Sequence, residues 1–300
     1  MTRLQMRREH GVTRFGDCRH HAIRADRDDA IGVGERDPDR PEPPLGVRAH
    51  RLHHVAYEGL VAGTRASIAG ETRIDRLIDE AAALPTVARR IGFISRALIG
   101  APYVGYTLVG GPHKAERFVV RDDGFDCVTF CETVLAAARV FRARDFEPAL
   151  RQIRYREGEV EWRERNHYFS DWCEFNIANG VCRAVALPGG EPVQKLLTTM
   201  RGLAPRRMSL VAVPRASLIA HRDRLATGDI IGFLSRRPGL DYFHTGFIVV
   251  DTKGEVWLRH AARSQGRVLD NSLAHFMSVN GVRAVTVVRP QEPWLANEVV

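Results

Sequence analysis

The sequence predicts an α+β protein, with helices in the first half of its ordered part and an antiparallel sheet in the second. Three observations predict it. Apolar residues recur at helical spacing in several stretches between 72 and 180. From 182 onward they fall instead into short runs rich in β-branched and aromatic residues. Two of those runs are separated by Asp251-Thr252-Lys253-Gly254, a tetrad with hairpin-turn chemistry. Helices first and hairpin-linked strands second, without βαβ alternation, is the α+β order.

Residues 1–70 differ from the rest of the chain. They hold half of the 12 histidines and the run Pro38-Asp39-Arg40-Pro41-Glu42-Pro43-Pro44, with little periodic hydrophobicity. Such a segment buries too little apolar surface to offset its ordering entropy, so it is expected to be disordered or an over-extended gene start. His53 and His54 read as solvated residues rather than metal ligands. Residues 71–300 are expected to form a single domain, with an insertion at about 143–228.

A helix over 72–83 places Ile74, Leu77, Ile78 and Ala81 on one face. Pro85 opens the next, whose stripe Val87, Ile91, Ile94 and Leu98 stops at Gly100. Ala101-Pro102-Tyr103-Val104-Gly105-Tyr106 comes next as an extended segment and turn. Asp122, Asp123 and Gly124 supply a second turn, and Asp126 suits the N-cap of a helix running to about 142. In it Val128, Cys131, Val134, Leu135 and Ala138 mark a buried face. Further helices are expected over 146–155 and from 165 to near Gly180, and strands over 182–187, 208–213, 229–235, 246–251, 255–260 and 282–289.

The 300 residues are 44% hydrophobic and carry a formal net charge of +8. That charge is arginine-based, since Lys114, Lys195 and Lys253 are the only lysines. A basic surface suits an anionic polymer, nucleic acid or cell wall. No compact basic run, zinc-finger spacing or RNA-binding aromatic motif is present, which sets nucleic acid aside. Five cysteines are too few for a disulfide scaffold, and Cys173 and Cys182 read as separate packed thiols. No apolar run approaches the roughly 18 residues of a membrane span. The N-terminus offers no secretory apolar region.

Chemistry concentrates at Cys127, on the first turn of the 127–142 helix. Unpaired N–H groups and the positive helix end favour thiolate there, although most free cysteines are only small buried hydrophobes. Two histidines shift the balance. His244 precedes one strand and His260 ends the next; the midpoint of the pair, 252, falls inside the hairpin turn. The two should therefore meet across adjacent strands. Cys127 would attack, His244 would take its proton and return it to a leaving amine, and His260 would fix the ring of His244. The Cys127 N–H and Tyr103 are the candidate oxyanion donors. Arg165, Asn166, His167, Tyr168 and Asp171 are the candidate substrate-binding residues, with Arg165 gripping carboxylates. The competing reading is a zinc site from Cys127, Cys131, His244 and His260; no metal or other cofactor is expected, because Cys131 is better explained by burial.

Ala101-Pro102-Tyr103 before Asp126-Cys127, Gly228-Asp229-Ile230-Ile231, His244-Thr245-Gly246-Phe247 and His260-Ala261 together resemble the NlpC-type, papain-like cell-wall cysteine hydrolases. The resemblance spans roughly residues 74–290. Phe125-Asp126-Cys127-Val128-Thr129-Phe130, Asn166-His167-Tyr168 with Asp171-Trp172, and Gly239-Leu240-Asp241 with His244 are similar to one branch, first catalogued as a domain of unknown function, that includes N-acetylmuramoyl-L-alanine amidases. The resemblance implies a papain-like fold, a Cys-His-His triad mapping to Cys127, His244 and His260, and peptidoglycan-derived muropeptides as substrates. The branch implies cleavage between the muramoyl lactyl group and L-alanine. The alternatives are the γ-D-glutamyl–diamino acid bond, or a wall-binding module without catalysis. The resemblance also implies work in the cell envelope, and the chain is expected to be a monomer.

Overall fold

The computed structural model describes residues 72–293. The expectations for residues 1–70 and for His53 and His54 lie outside the described residues. In chain order come α1 (Arg73–Ala81), α2 (Val87–Ala97), β1 (Val109–Gly111), β2 (Lys114–Arg117), α3 (Cys127–Ala138), α4 (Phe146–Arg154) and α5 (Phe169–Ala178). Next are β3 (Cys182–Ala184), β4 (Glu191–Leu197), β5 (Arg206–Pro214), α6 (Arg215–Ala220), β6 (Ile230–Leu234), β7 (Tyr242–Val250), β8 (Val256–Ala262), β9 (Arg267–Ser272), α7 (Leu273–Val279) and β10 (Ala284–Pro290). The class is α+β: one eight-stranded sheet in the order β4-β5-β10-β6-β7-β8-β9, with β3 also on β10, and every pairing antiparallel.

The sheet has two covered faces. α1, α2 and α3 lie over one, where Phe247, Ile230, Ala261 and Val268 join Ile78, Ile91 and Val134 in the larger core. α7 lies over the other, where Phe233, Ile248, Leu258 and Phe276 form a second core. α3 sits deepest. Every residue from Thr129 to Ala138 is buried, not one face alone, because α1, α2, α4, β7 and β8 surround it. Small alanines permit that approach on all sides, and a helix apolar all round belongs inside a core. Its C-terminal carbonyl at Ala138 accepts from Arg90 Nε at 2.6 Å, so the buried guanidinium caps it. Glu132 on the same helix pairs with Arg154 of α4 at 2.7 Å, both side chains 2% exposed.

β1, β2, β4, β9, α6 and α7 were not foreseen from the sequence. β4 carries Glu191, Pro192, Gln194 and Lys195, and only Leu197 is buried; an edge strand of that composition shows no clear alternation. β9 alternates weakly in Arg267–Ser272 and is ordered by pairing with β8. The β7–β8 register also differs from the expected one. Phe247 faces Arg259, so the pair sum is 506 and Gly246, not His244, would face His260. Both sums are even, which keeps positions 244 and 260 on one face of the sheet.

Candidate active site

Cys127 is the first residue of α3, held there by a reciprocal cap. The Thr129 N–H donates to Asp126 Oδ1 at 2.8 Å, and the Asp126 N–H donates to Thr129 Oγ1 at 3.0 Å. The approach loop is tight. A Cβ on Gly124 would stand 2.4 Å from Val104 Cγ2 and 3.2 Å from the Pro102 carbonyl. Tyr103 runs beside this loop: the Val104 N–H donates to Phe125 O at 2.9 Å and the Phe125 N–H to Pro102 O at 3.0 Å. Tyr103 is thus joined to the loop that leads into Cys127, and its N–H donates to Gly266 O at 2.8 Å in the β8–β9 turn.

The sheet opens where the sulfur arrives. Pairing of β7 with β8 ends at Phe247 and Arg259, whereas β7 stays paired with β6 down to Tyr242. The Ile248 N–H donates toward β6, to Asp229 O at 2.7 Å. By alternation the Thr245 N–H points to the other side, from which β8 has parted. That N–H, with those of Cys127 and Val128, acts on the Cys127 sulfur and favours its ionised form. The body of α3 meets the face of Thr245 and Phe247: Cys131 Sγ is 4.0 Å from Thr245 Oγ1, and Phe130 and Phe247 have ring centroids 5.8 Å apart. His244 and His260 lie on the opposite face, in contact with Phe276 at centroid distances of 5.5 and 5.3 Å. The β7–β8 ladder is unpaired between the start of α3 and these rings.

The rings of His244 and His260 meet diagonally, with His244 Nε2 and His260 Nδ1 2.6 Å apart. Gly246 makes this possible. A Cβ there would stand 2.8 Å from the Arg259 carbonyl and 2.9 Å from His260 Cβ. His260 Nε2 lies 2.8 Å from Asn271 Oδ1 on β9. Asn271 was missed in the sequence because β9 itself was missed, and an isolated asparagine carries no motif.

Electrostatics correct one expectation. Burial pushes the Cys127 thiol up to about 12 and the Asp126 carboxylate adds to the shift, against the three N–H groups that lower it. A helix start alone therefore does not make a thiolate here. Burial and then the neighbouring His260 hold His244 well below the usual histidine range. Both shifts favour the neutral thiol and the neutral imidazole. Burial raises the Tyr103 hydroxyl, with Cys127 and Asp126 adding to the rise and Arg263 opposing it. This brings Arg263, exposed in the turn after β8, into the surroundings of the site. Tyr106, 63% exposed, also bears on Tyr103 and holds a left-handed backbone at φ 59°.

The expected substrate-binding residues are engaged with the protein itself. Arg165 Nη1 donates to Glu116 Oε1 at 2.8 Å. Asn166 Nδ2 donates to Ile153 O at 3.3 Å, and His167 Nε2 is 2.6 Å from Trp162 O. The Tyr168 hydroxyl accepts from the Met200 N–H at 2.9 Å, and Asp171 pairs with Arg206. These contacts tie α5 and its approach to β2, α4, β5 and the segments around Trp162 and Met200. Among the described residues no group of three or more His, Cys, Asp or Glu is placed to share a metal ion. Cys131 and the imidazoles occupy different faces of the sheet, so the competing zinc set is not assembled. Cys127, Cys131, Cys173 and Cys182 are free.

A free thiol opens α3 and a hydrogen-bonded histidine pair stands on the antiparallel sheet of this α+β protein. The chain belongs to the N-acetylmuramoyl-L-alanine amidase-like family, whose model matches residues 93–282. It is similar in structure to a Legionella pneumophila protein of that family, formerly a domain of unknown function, at TM-score 0.65 and 22% identity, covering 74% of this chain and 95% of that one. It is also similar to an N-acetylmuramoyl-L-alanine amidase from Bacteroides uniformis, at TM-score 0.58 and 23% identity over 66% of this chain and 97% of that one. A second structure of a Bacteroides uniformis amidase of that name gives TM-score 0.59 and 22% identity over 74% and 100%. No curated protein matches the chain. Family and neighbours together make a peptidoglycan amidase-like hydrolase the coarse reading of the molecule.

Proposed function

We propose that this protein is a papain-like cysteine amidase that hydrolyses the amide between the lactyl group of N-acetylmuramic acid and L-alanine in muropeptides. One observation carries the reading. His244, 2.6 Å from His260 of β8, stands on β7, where the N–H of the next residue, Thr245, acts on the Cys127 sulfur. The name of the family supplies the bond.

Because thiol and imidazole are both neutral, attack and proton transfer run together. Cys127 Sγ bonds to the carbonyl carbon as its proton passes to His244. The oxyanion forms against the N–H at the start of α3 and the Tyr103 hydroxyl. The amide C–N bond then breaks, the leaving amine of L-alanine takes the proton from His244, and water, deprotonated by the same ring, frees the muramoyl acid from the sulfur. Exclusion of water strengthens each of these contacts.

Substrate carboxylates meet Arg263 in this reading, since the Arg165 guanidinium is already paired with Glu116. Tyr106 offers an exposed ring for a sugar face. A non-glycine residue held left-handed costs roughly 1–3 kcal/mol, and such strain gathers at ligand sites. The test is digestion of one defined muropeptide, with the product masses as readout. Wild type should release an intact stem peptide beginning with L-alanine, and Cys127→Ala should release none while remaining folded. A cut at the γ-D-glutamyl bond would keep the chemistry and move the bond. Full activity of Cys127→Ala would refute the nucleophile, and no cleavage by wild type would leave a wall-binding module.

A further inference from the structure

We infer that Asn271 is the positioning residue that sets the direction of proton flow through His244 and His260. The inference rests on the proposed role of His244 as base and extends it to a group on a third strand.

An amide oxygen only accepts, so Asn271 Oδ1 at 2.8 Å requires a proton on His260 Nε2. A neutral imidazole carries one N–H, which leaves His260 Nδ1 with its lone pair. At 2.6 Å that lone pair must receive a hydrogen bond from His244 Nε2–H. His244 is then left with an unprotonated Nδ1, the nitrogen a thiol proton can enter. Were the amide turned, its Nδ2 would donate to His260 Nε2, the N–H of each ring would move to Nδ1, and His244 could accept no proton from sulfur. One carboxamide orientation therefore decides whether the pair is a base.

The ladder sets Asn271 beside His260. Leu258 faces Asn271 and His260 faces Leu269 in the β8–β9 ladder, so Asn271 and His260 are diagonal neighbours on one face. Ser272, the next residue, caps α7, and Phe276 of α7 lies against both rings. When Cys127 gives up its proton, His244 becomes the imidazolium and the positive charge is shared along two hydrogen bonds. No proton leaves His260 or Asn271, and the proton gained by His244 is the one returned to the amine.

Long-range proton–nitrogen NMR of the full chain with labelled histidine reads the tautomers directly, without any activity. His244 and His260 should both appear as neutral Nε2–H rings in wild type. Asn271→Asp keeps the acceptor and adds negative charge; it should retain both tautomers and move the acid limb of the rate profile to higher pH. Asn271→Leu should lose the fixed His260 tautomer and lower kcat by about 10- to 100-fold with KM little changed, the size typical of outer partners of functional histidines. Nδ1–H rings in wild type would overturn the inference, as would Asn271→Asp behaving like Asn271→Leu. His244→Ala separates the two levels: full activity there refutes the base role itself, whatever the wild-type tautomers prove to be.

Discussion

Alkylation of Cys127 as a function of pH tests the electrostatics of the site most directly. With the thiol at about 12, the ionised fraction at pH 7 is 10^(7−12), about 10⁻⁵. A solvent-exposed cysteine near 8.5 is ionised to about 3% at that pH. The deficit is roughly 3,000-fold. A more basic sulfur is also more nucleophilic, and a Brønsted slope near 0.45 over about 3.5 pH units returns about 40-fold. The net expectation is alkylation roughly 80-fold slower than a free thiol at pH 7, before any steric hindrance. The rate should climb close to tenfold per pH unit from 7 to 11, without a plateau. Iodoacetamide labelling of the full chain, read at the Cys127 peptide by mass spectrometry with Cys127→Ser as blank, supplies the rate. A plateau reached by pH 8, or labelling faster than a free thiol at pH 7, would sink the neutral-pair mechanism and restore a preformed thiolate.

Asp126→Asn keeps an acceptor for the Thr129 N–H and removes the charge that raises the thiol, so alkylation at fixed pH should accelerate with little change in thermal midpoint. Because His244 is depressed below its ordinary value, its base form is present above that value and is lost only as pH falls through it; the acid limb of kcat/KM should therefore lie well below 6.5, and a limb at 6.5 or above contradicts this. Gly246→Ala forces a Cβ to within 2.8 Å of the Arg259 carbonyl, and should cost activity at least tenfold together with a lowered melting temperature. Arg263→Glu should raise KM for an anionic muropeptide while leaving the melting temperature in place, whereas Arg165→Ala should mainly lower stability; the reverse pattern would return the carboxylate grip to Arg165. Glu132→Leu leaves Arg154 buried and unpaired, a loss of about 3–5 kcal/mol visible in urea unfolding.

What could be read in the sequence was whatever local chemistry dictates. Asp126 with Thr129 announces a helix start, and α1 and α2 track their apolar stripes to within a few residues. The strands β6, β7, β8 and β10 were legible because Ile, Val and Phe crowd into short runs there. β9 and Asn271 were not, since that segment takes its order from neighbours far along the chain rather than from its own pattern. The partners of the expected substrate-binding residues were not legible for a related reason. A dense polar stretch such as 165–171 has the same composition whether it faces a ligand or ties two parts of a fold together. In the structure its partners are Glu116, Ile153, Trp162, Met200 and Arg206, all outside that stretch. The thiol shift was missed because burial opposes the helix-end effect, and burial is a property of the whole core.

The difference between the expected and observed β7–β8 registers shows which features of the site tolerate imprecision. A hairpin centred two residues' worth of sum away still presents His244 and His260 on one face, because side chains alternate with period two. A shift to an odd sum would have sent one imidazole toward α3 and the other toward α7. With Cys131 and Thr245 already filling the α3 face, no ring could then meet its partner. Parity is therefore the strict requirement, while the exact pairing is not. What converts correct parity into a contact is Gly246, which leaves room for His260 to lean toward His244 instead of standing over its own ladder partner. The early end of the β7–β8 ladder then leaves the Thr245 N–H for the sulfur. One missing Cβ and one unmade strand pair thus join His244 to His260 and leave the Thr245 N–H turned toward the start of α3, the two features on which the proposed thiol–imidazole pairing rests.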